Sequence, residues 1–200
     1  MKYQKDDEFI EIVQEETAEN PREARDNLGH MACFHRGYNL GDKQTEIDKD
    51  DYDSWDEMEA DLNKRAPIVI RLNLYDHSGI TISASNGYPY NCRWDSSTVG
   101  FIYVTKEDLK KEYSVKRISK KVLKTARAVL MGEIKVYDQY ITGAVYGFRK
   151  YELVTCKTCK HTEEEIIDSC YGFYGHDHKE SGLLEQAGIT NLDEWEEIEQ

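Results

Sequence analysis

The chain has 200 residues, which is enough to bury a substantial core in one domain, with or without an appendage. Its net charge of −13 disfavours non-specific binding to nucleic acid or to anionic membranes. No apolar run reaches the length of a membrane span, and the N-terminus lacks a signal-peptide core, so we expect a cytoplasmic protein. Five cysteines, an odd number, favour free thiols or a metal site over a disulfide framework.

The first third of the chain predicts strands followed by an acidic helix. Residues 8–14 (EFIEIVQ) predict a short strand, and residues 26–42 predict another, with Met31, Cys33 and His35 on one face. We expect residues 15–26 to be irregular, because Asn-Pro within them is a turn signal.

Residues 46–61 carry nine acids and one base. Ser54 is a candidate N-cap for a helix there, with Glu57 three residues later as in a capping box. Four carboxylates of this segment are our candidate binding surface for a basic partner: Asp50, Asp51, Asp53 and Asp56.

Residues 67–104 predict three antiparallel strands, because runs of β-branched and aromatic residues alternate with turn formers. After them, the apolar spacing from Ser119 to Gly143 predicts one long helix against the sheet. The polar face of this helix begins with lysines, which oppose the helix dipole. These cations serve either a ligand or an acidic patch of the same molecule, and the acidic ends of the chain favour the second explanation.

The last third predicts a β-hairpin of residues 144–154 and 165–174, each containing Tyr-Gly-Phe. If paired residue numbers sum to 319, Gly147 faces Gly172 between two aromatic pairs, and Cys170 faces Arg149. The glycine pair would leave a slot in the sheet, for the long helix or for a ligand.

The predicted hairpin tip, TCKTCKHT, is a candidate zinc site. Cys156 and Cys159 have the spacing with which two thiolates face one zinc ion, and His161 is a candidate third ligand. A fourth ligand is missing from the segment. The alternative is a turn with two free thiols.

A second group of residues has the chemistry of a catalytic site. A cysteine and a histidine with an orienting aspartate suit nucleophilic catalysis, and several histidines with an aspartate suit metal-assisted hydrolysis. The alternative is structural, because Asp-His-Ser-Gly is a good β-turn and cysteines are commonly buried. The candidate residues lie near predicted strand ends: His30, Cys33, His35, Asp76, His77, Cys92 and Asp95.

Five segments between Asn20 and Gly175 carry a resemblance to a known group of proteins. In order, they are DNLGHMACFHRGYNLGD, LYDHSGITIS, RWDSSTVGFIYV, YDQYITGAVYGF and DSCYGFYG. The chain resembles a family of small acidic proteins encoded by tailed phages and related mobile elements of bacteria. The resemblance implies a cytoplasmic setting in a host bacterium and action on host replication, transcription or defence machinery.

We predict a single α+β domain over residues 1–200, with an antiparallel sheet of about five to seven strands, one long amphipathic helix packed on a face, and short helices. Its predicted parts are N-terminal strands with the acidic helix (8–66), a central sheet with the long helix (67–143), a hairpin with a Cys-x-x-Cys tip (144–175) and an acidic tail (181–200).

Two functions follow from these patterns. The first is a phage accessory protein of the anti-CRISPR or anti-restriction type, whose acidic surfaces bind and inhibit a host nuclease or another nucleic-acid-binding enzyme. The alternative is a hydrolase of nucleic acid or nucleotides that uses the His, Asp and Cys set. We expect a host protein as partner, no membrane partner and no direct nucleic-acid binding, with zinc as the one candidate cofactor.

Overall fold

The computed structural model describes residues 1–84, 94–155 and 157–198. They form an α+β protein, as the sequence predicts, with one antiparallel sheet of five strands and another of four. The prediction of one sheet with five to seven strands is wrong, because the hairpin and the central strands belong to separate sheets. Where the sequence suggests one domain, the chain divides into two compact units, residues 1–19 with 143–200, and residues 20–142.

The first unit contains the five-stranded sheet. Its elements are β1 (Lys2–Lys5), β2 (Glu8–Gln14), β7 (Val145–Thr155), β8 (Thr162–Tyr174), α5 (Leu183–Gln186) and β9 (Glu196–Ile198). The strand order is β8-β7-β2-β1-β9, so both ends of the described chain contribute to this sheet. Its core combines Ile10 and Ile12 from β2 with Phe148 from β7 and Leu183 from α5.

The second unit contains the four-stranded sheet and most of the helical residues. Its elements are α1 (Pro21–Ala24), β3 (His30–Cys33), a 3-10 turn (Lys49–Asp51), α2 (Trp55–Arg65), β4 (Ile68–Asp76), β5 (Ile80–Ser83), β6 (Ser96–Val104), α3 (Lys106–Glu112) and α4 (Lys120–Ile141). The strand order is β3-β6-β4-β5. The short α1 lies where the sequence predicts irregular structure, and its Asn20 caps it by accepting a hydrogen bond from the Arg22 amide.

Helices cover both faces of this sheet. Alternating residues of β4, such as Ile70 and Leu72, share a core with Leu130 of α4. On the opposite face, Phe101 of β6 packs with Met58 of α2. This arrangement follows from the period-two alternation of side chains along a strand, which gives each sheet two usable faces. The second unit therefore has three layers, in the order α2, sheet, α4.

The hairpin register is corrected by the structure. Tyr146 pairs with Phe173, as the 319 sum requires, but the register then shifts, and Phe148 pairs with Cys170. The pairing predicted between Cys170 and Arg149 is therefore wrong. The predicted slot is already filled, because a Cβ atom at Gly147 would overlap the ring of Tyr171.

Candidate functional site

The sequence-predicted catalytic residues are distributed along the four-stranded sheet. His30 is at one end, where it pairs with Tyr103 across the β3–β6 ladder. Its Nε2 atom lies 3.0 Å from Oδ2 of Asp108, and its ring stacks on Tyr103 with a centroid distance of 5.3 Å. Burial raises the pKa of Asp108, but hydrogen bonds from Thr105 and His30 outweigh this effect and lower it overall. His30 therefore belongs to a capping interaction of α3.

Cys33 is the last residue of the edge strand β3, where it pairs with Gly100 of β6. Burial, with a smaller contribution from the nearby carboxylate of Asp42, raises the pKa of the thiol to about 12. The thiolate is the nucleophilic form of cysteine, and this environment suppresses it at neutral pH. Cys33 is therefore a weak nucleophile, although its side chain is only partly buried.

We expect the Cys33 thiol to resist labelling in the native protein. At about pH 8, a thiol of pKa about 12 reacts more than about 1,000-fold more slowly than an ordinary one through its thiolate fraction alone. The measurement is the maleimide reaction rate of a variant that keeps Cys33 and carries serine at the other cysteines, namely Cys92, Cys156, Cys159 and Cys170. A matched variant that keeps only the exposed Cys159 is the control. Similar rates for both variants would show that Cys33 is accessible and ionised.

The other end of the sheet brings several of the predicted residues together. The ring of His35 stacks on Tyr38 with a centroid distance of 4.9 Å. The Tyr38 hydroxyl donates a 3.1 Å hydrogen bond to Asp76, and this bond raises the pKa of the Tyr38 hydroxyl. The backbone amide of Asp76 in turn donates to the carbonyl of Asp95 at 2.8 Å. We call the set of His35, Tyr38, Asp76, His77 and Asp95 the strand-end cluster.

The geometry of the strand-end cluster is open. Nδ1 of His77 is 3.8 Å from Oδ2 of Asp95, which is longer than a hydrogen bond. His35 accepts a hydrogen bond at Nδ1 from the Gly37 amide, so in its neutral form its proton is on Nε2. Cys92, which the sequence places in this group, lies outside the described residues. The cluster has acid and base groups, but the distance between His77 and Asp95 is too long for a His–Asp hydrogen bond.

A cleft of about 960 Å³ adjoins the strand-end cluster. Its lining includes His35 and Tyr38 together with Trp55 and Lys49. The Lys49 ammonium lies over the Trp55 ring, 4.9 Å from its centroid. The cleft has the size range of small-molecule sites, but most of its lining residues are polar or charged, which is unlike the mostly apolar lining of such sites.

The predicted zinc site is only partly within the described structure. Cys156 lies outside it, whereas Cys159 and His161 are exposed. In residues 1–84, 94–155 and 157–198, no three His, Cys, Asp or Glu side chains are grouped so that they could hold a metal ion.

The acidic surface, Asp50, Asp51, Asp53 and Asp56, is exposed to solvent. Asp50 and Asp51 lie in the 3-10 turn, and Asp53 and Asp56 flank the start of α2. Arg71 binds Asp56 at 2.6 Å. No cation of the described residues forms an ion pair with the other three carboxylates. The surface therefore presents three unneutralised carboxylates.

Two other arrangements were missed by the sequence interpretation. Tyr38 connects His35 to Asp76, and its own position in a Gly-rich loop gave no signal of this contact. In the first unit, the Tyr146 hydroxyl is 2.7 Å from Nδ1 of His176, and its ring contacts His178 edge to face at 4.7 Å. The spacing His-x-His after a strand is the sequence signal that could have indicated this pair.

Comparisons with protein-family models, with curated proteins and with solved structures find no match to this chain. Across the part of the chain that the structure describes, no helix has both the length and the apolar composition needed to cross a bilayer.

Proposed function

We propose that this protein binds and inhibits a nucleic-acid-processing or defence enzyme of a bacterial host, of the restriction or CRISPR nuclease type, through its acidic surface. One observation carries the proposal: Asp50, Asp51 and Asp53 are exposed together without an ion-pair partner in the described chain. Grooves that bind nucleic acid are lined by Lys and Arg, so clustered carboxylates complement them. The resemblance to phage-encoded proteins supports the same setting.

The backbone around these carboxylates is regular, which favours binding. The Asp48 side chain caps the 3-10 turn by accepting a 3.0 Å hydrogen bond from the Asp50 amide. Ser54 caps α2 by accepting from the Glu57 amide at 3.1 Å, and the Asp53 amide donates to the Glu57 carboxylate at 2.9 Å. Pre-organised charges lose less conformational entropy on binding than charges on a disordered tail.

Neutralising the acidic surface should abolish inhibition. Bacteria with a restriction or CRISPR system should support phage plating when they express the wild-type chain, and should lose this protection of the phage with the Asp50→Asn, Asp51→Asn, Asp53→Asn variant. With the purified target, the association rate constant should fall about tenfold or more, and its dependence on salt should weaken, because the lost charges act through long-range attraction.

A control variant distinguishes the effect of the local charge at the acidic surface from the effect of net charge on inhibition. Glu16→Gln, Glu107→Gln and Glu112→Gln change the net charge by the same amount at exposed positions that are not part of the acidic surface. This variant should inhibit like the wild type. Equal loss of inhibition in both triple variants would contradict a role for the acidic surface itself.

A second candidate function, a hydrolase of nucleic acid or nucleotides, is favoured by the cleft beside the strand-end cluster. In that case, His77→Ala should abolish biological activity without changing the melting temperature, because His77 is well exposed and its loss leaves the core intact. The acidic-surface variant should then stay active. An inactive but folded His77→Ala protein beside an active acidic-surface variant would replace the inhibitor proposal with the hydrolase.

A further inference from the structure

Residues 105–127, which carry a net charge of +6, form an exposed basic surface. They include α3 and the first two turns of α4. All nine of their cations are exposed: Lys106, Lys110, Lys111, Lys116, Arg117, Lys120, Lys121, Lys124 and Arg127. On α4, Lys120, Lys124 and Arg127 are four and then three residues apart, so they lie in one line along one side of the helix. We call these three residues the basic row.

The expectation that acidic parts of the molecule neutralise these cations does not hold in the described structure. Within residues 1–84, 94–155 and 157–198, none of the nine cations forms an ion pair. Of the three acids in α3, Asp108 is hydrogen-bonded to Thr105 and His30, and Glu107 and Glu112 are exposed and form no ion pair with these cations in the described structure. The cations remain available to a ligand.

The basic row is also unfavourable for the helix that carries it. The first turn of α4 contains no acid, and cations there oppose the positive end of the helix dipole. Like charges four residues apart, as at Lys120 and Lys124, repel each other as well. Helix stability therefore does not account for the basic row, whereas an anionic ligand does.

The layers of the second unit separate this basic surface from the acidic one. The acidic surface adjoins α2, and α2 and α4 pack on opposite faces of the same sheet, through Phe101 and Ile102 respectively. Two helices with a sheet between them are more than about 10 Å apart, which exceeds the Debye length of about 8 Å at physiological ionic strength. A ligand at the basic row is therefore influenced mainly by the local positive charge, despite the net charge of −13.

The chemistry of the surface favours one class of ligand. Single-stranded nucleic acid is bound by aromatic stacking as well as charge, and residues 105–127 contain one aromatic residue, the partly buried Tyr113. Membrane-surface helices insert an apolar face, but the apolar face of α4 is in the core, with Ala126 and Leu130 fully buried. The duplex phosphate backbone, with about one charge per 1.7 Å of axis, suits a line of cations about 10 Å long.

We propose that the basic row on α4 binds the phosphate backbone of double-stranded DNA, without reading its sequence. This inference goes beyond the proposed function, because it assigns a second surface and a second kind of partner to the protein. The nearby cations of α3 add to the attraction, and the acidic surface takes no part in this contact.

The test is the binding of the full chain to a short fluorescein-labelled DNA duplex, followed by fluorescence anisotropy between about 50 and about 200 mM salt. Three phosphate contacts give a slope of log K against log salt of about −2.7, which weakens binding about 40-fold over this range. In the Lys120→Ala, Lys124→Ala, Arg127→Ala variant, the slope of log K against log salt should become less negative by about 2.7. A duplex of scrambled sequence should bind equally well.

Two control variants distinguish the effect of the basic row on binding from the effects of net charge and of unfolding. The Lys157→Ala, Lys160→Ala, Lys179→Ala variant removes three exposed cations of the first unit and should bind like the wild type. The Lys120→Glu, Lys121→Glu variant should bind more weakly still, yet melt a few degrees higher, because acids in the first turn of α4 favour the helix dipole. Loss of binding with a gain in stability excludes unfolding as the cause.

Several results would overturn the proposal. One is unchanged duplex binding in the basic-row variant, and another is equal loss in the control variant. Tighter binding to the separated single strand would assign the surface to another nucleic acid. Binding to polyglutamate or to phosphatidylserine vesicles, without binding to the duplex, would assign it to an acidic protein or to a membrane.

Discussion

Replacing Arg22 with alanine should lower the free energy of unfolding of the second unit by about 3–5 kcal/mol. The Arg22 side chain is only 2% exposed, and its guanidinium binds Asp42 at 2.8 Å and Glu133 at 2.9 Å. It also donates to the Gly29 carbonyl at 2.5 Å. Without the cation, two largely buried carboxylates would face each other uncompensated, which is the costly case for a buried ion cluster.

The ion cluster of Arg22, Asp42 and Glu133 also binds backbone amides of neighbouring segments. Glu133 of α4 accepts hydrogen bonds from the backbone amides of Leu28 and Gly29, at 2.7 and 3.2 Å. Asp42 accepts from the amide of Met31 at 2.7 Å. Loss of Arg22 should therefore loosen the segment before β3 as well as the ion pairs.

Urea unfolding followed by the fluorescence of Trp55, in a background with phenylalanine at Trp94 and Trp195, measures the effect of Arg22→Ala within the second unit. Arg127→Ala is the matched control, because Arg127 is exposed and forms no ion pair in the described structure, and it should change the unfolding free energy by less than about 0.5 kcal/mol. An Arg22→Ala protein as stable as this control would show that the buried ion pairs contribute no net stability.

The substitution Gly100→Ala should destabilise the second unit by about 3 kcal/mol, whereas Gly132→Ala should stabilise it by up to about 1 kcal/mol. A Cβ atom at Gly100 would overlap the Ala32 carbonyl and would lie 2.9 Å from Cα of Cys33, so β3 and β6 would have to separate. Gly132 lies in α4 with nothing within 4 Å of a Cβ atom there, and alanine is the better helix former.

The pair forms its own control, because the two substitutions add the same methyl group to the same unit. Thermal unfolding of both variants should give shifts in opposite directions. Shifts of the same sign would mean either that the two strands are not in close contact at Gly100 or that α4 is not helical at Gly132.

Local signals in the sequence were sufficient to predict individual strands and helix caps. The alternation in β4 and the Ser54 cap of α2 are properties of neighbouring residues, and the structure confirms both. The same is true of strand β2, whose predicted bounds, Glu8–Gln14, are those observed. Short-range patterning fixes such elements because their backbone hydrogen bonds and caps involve residues close in the chain.

Long-range pairing could not be derived in the same way. β2 pairs with β7, about 130 residues later in the chain, and the sequence of neither strand indicates which strand it pairs with. The prediction of the hairpin register failed for a different reason. Gly147 lies at a bulge, and the sequence does not indicate by how many residues a bulge shifts the register. The prediction of the candidate site failed in part because it grouped His30 with His35, whereas β3 (His30–Cys33) is extended and separates them along the sheet.

The pairing of β2 with β7 has a consequence for how the protein is made. A ribosome adds about 5–20 residues per second, so β7 leaves it roughly 10 s after β2. During that time, the four-stranded sheet of residues 20–142 can close with all its strands present, because they form one continuous segment. The edge of β2 stays unpaired until then, so a chaperone that binds nascent chains has its longest opportunity at Phe9 to Val13, the apolar core of that strand.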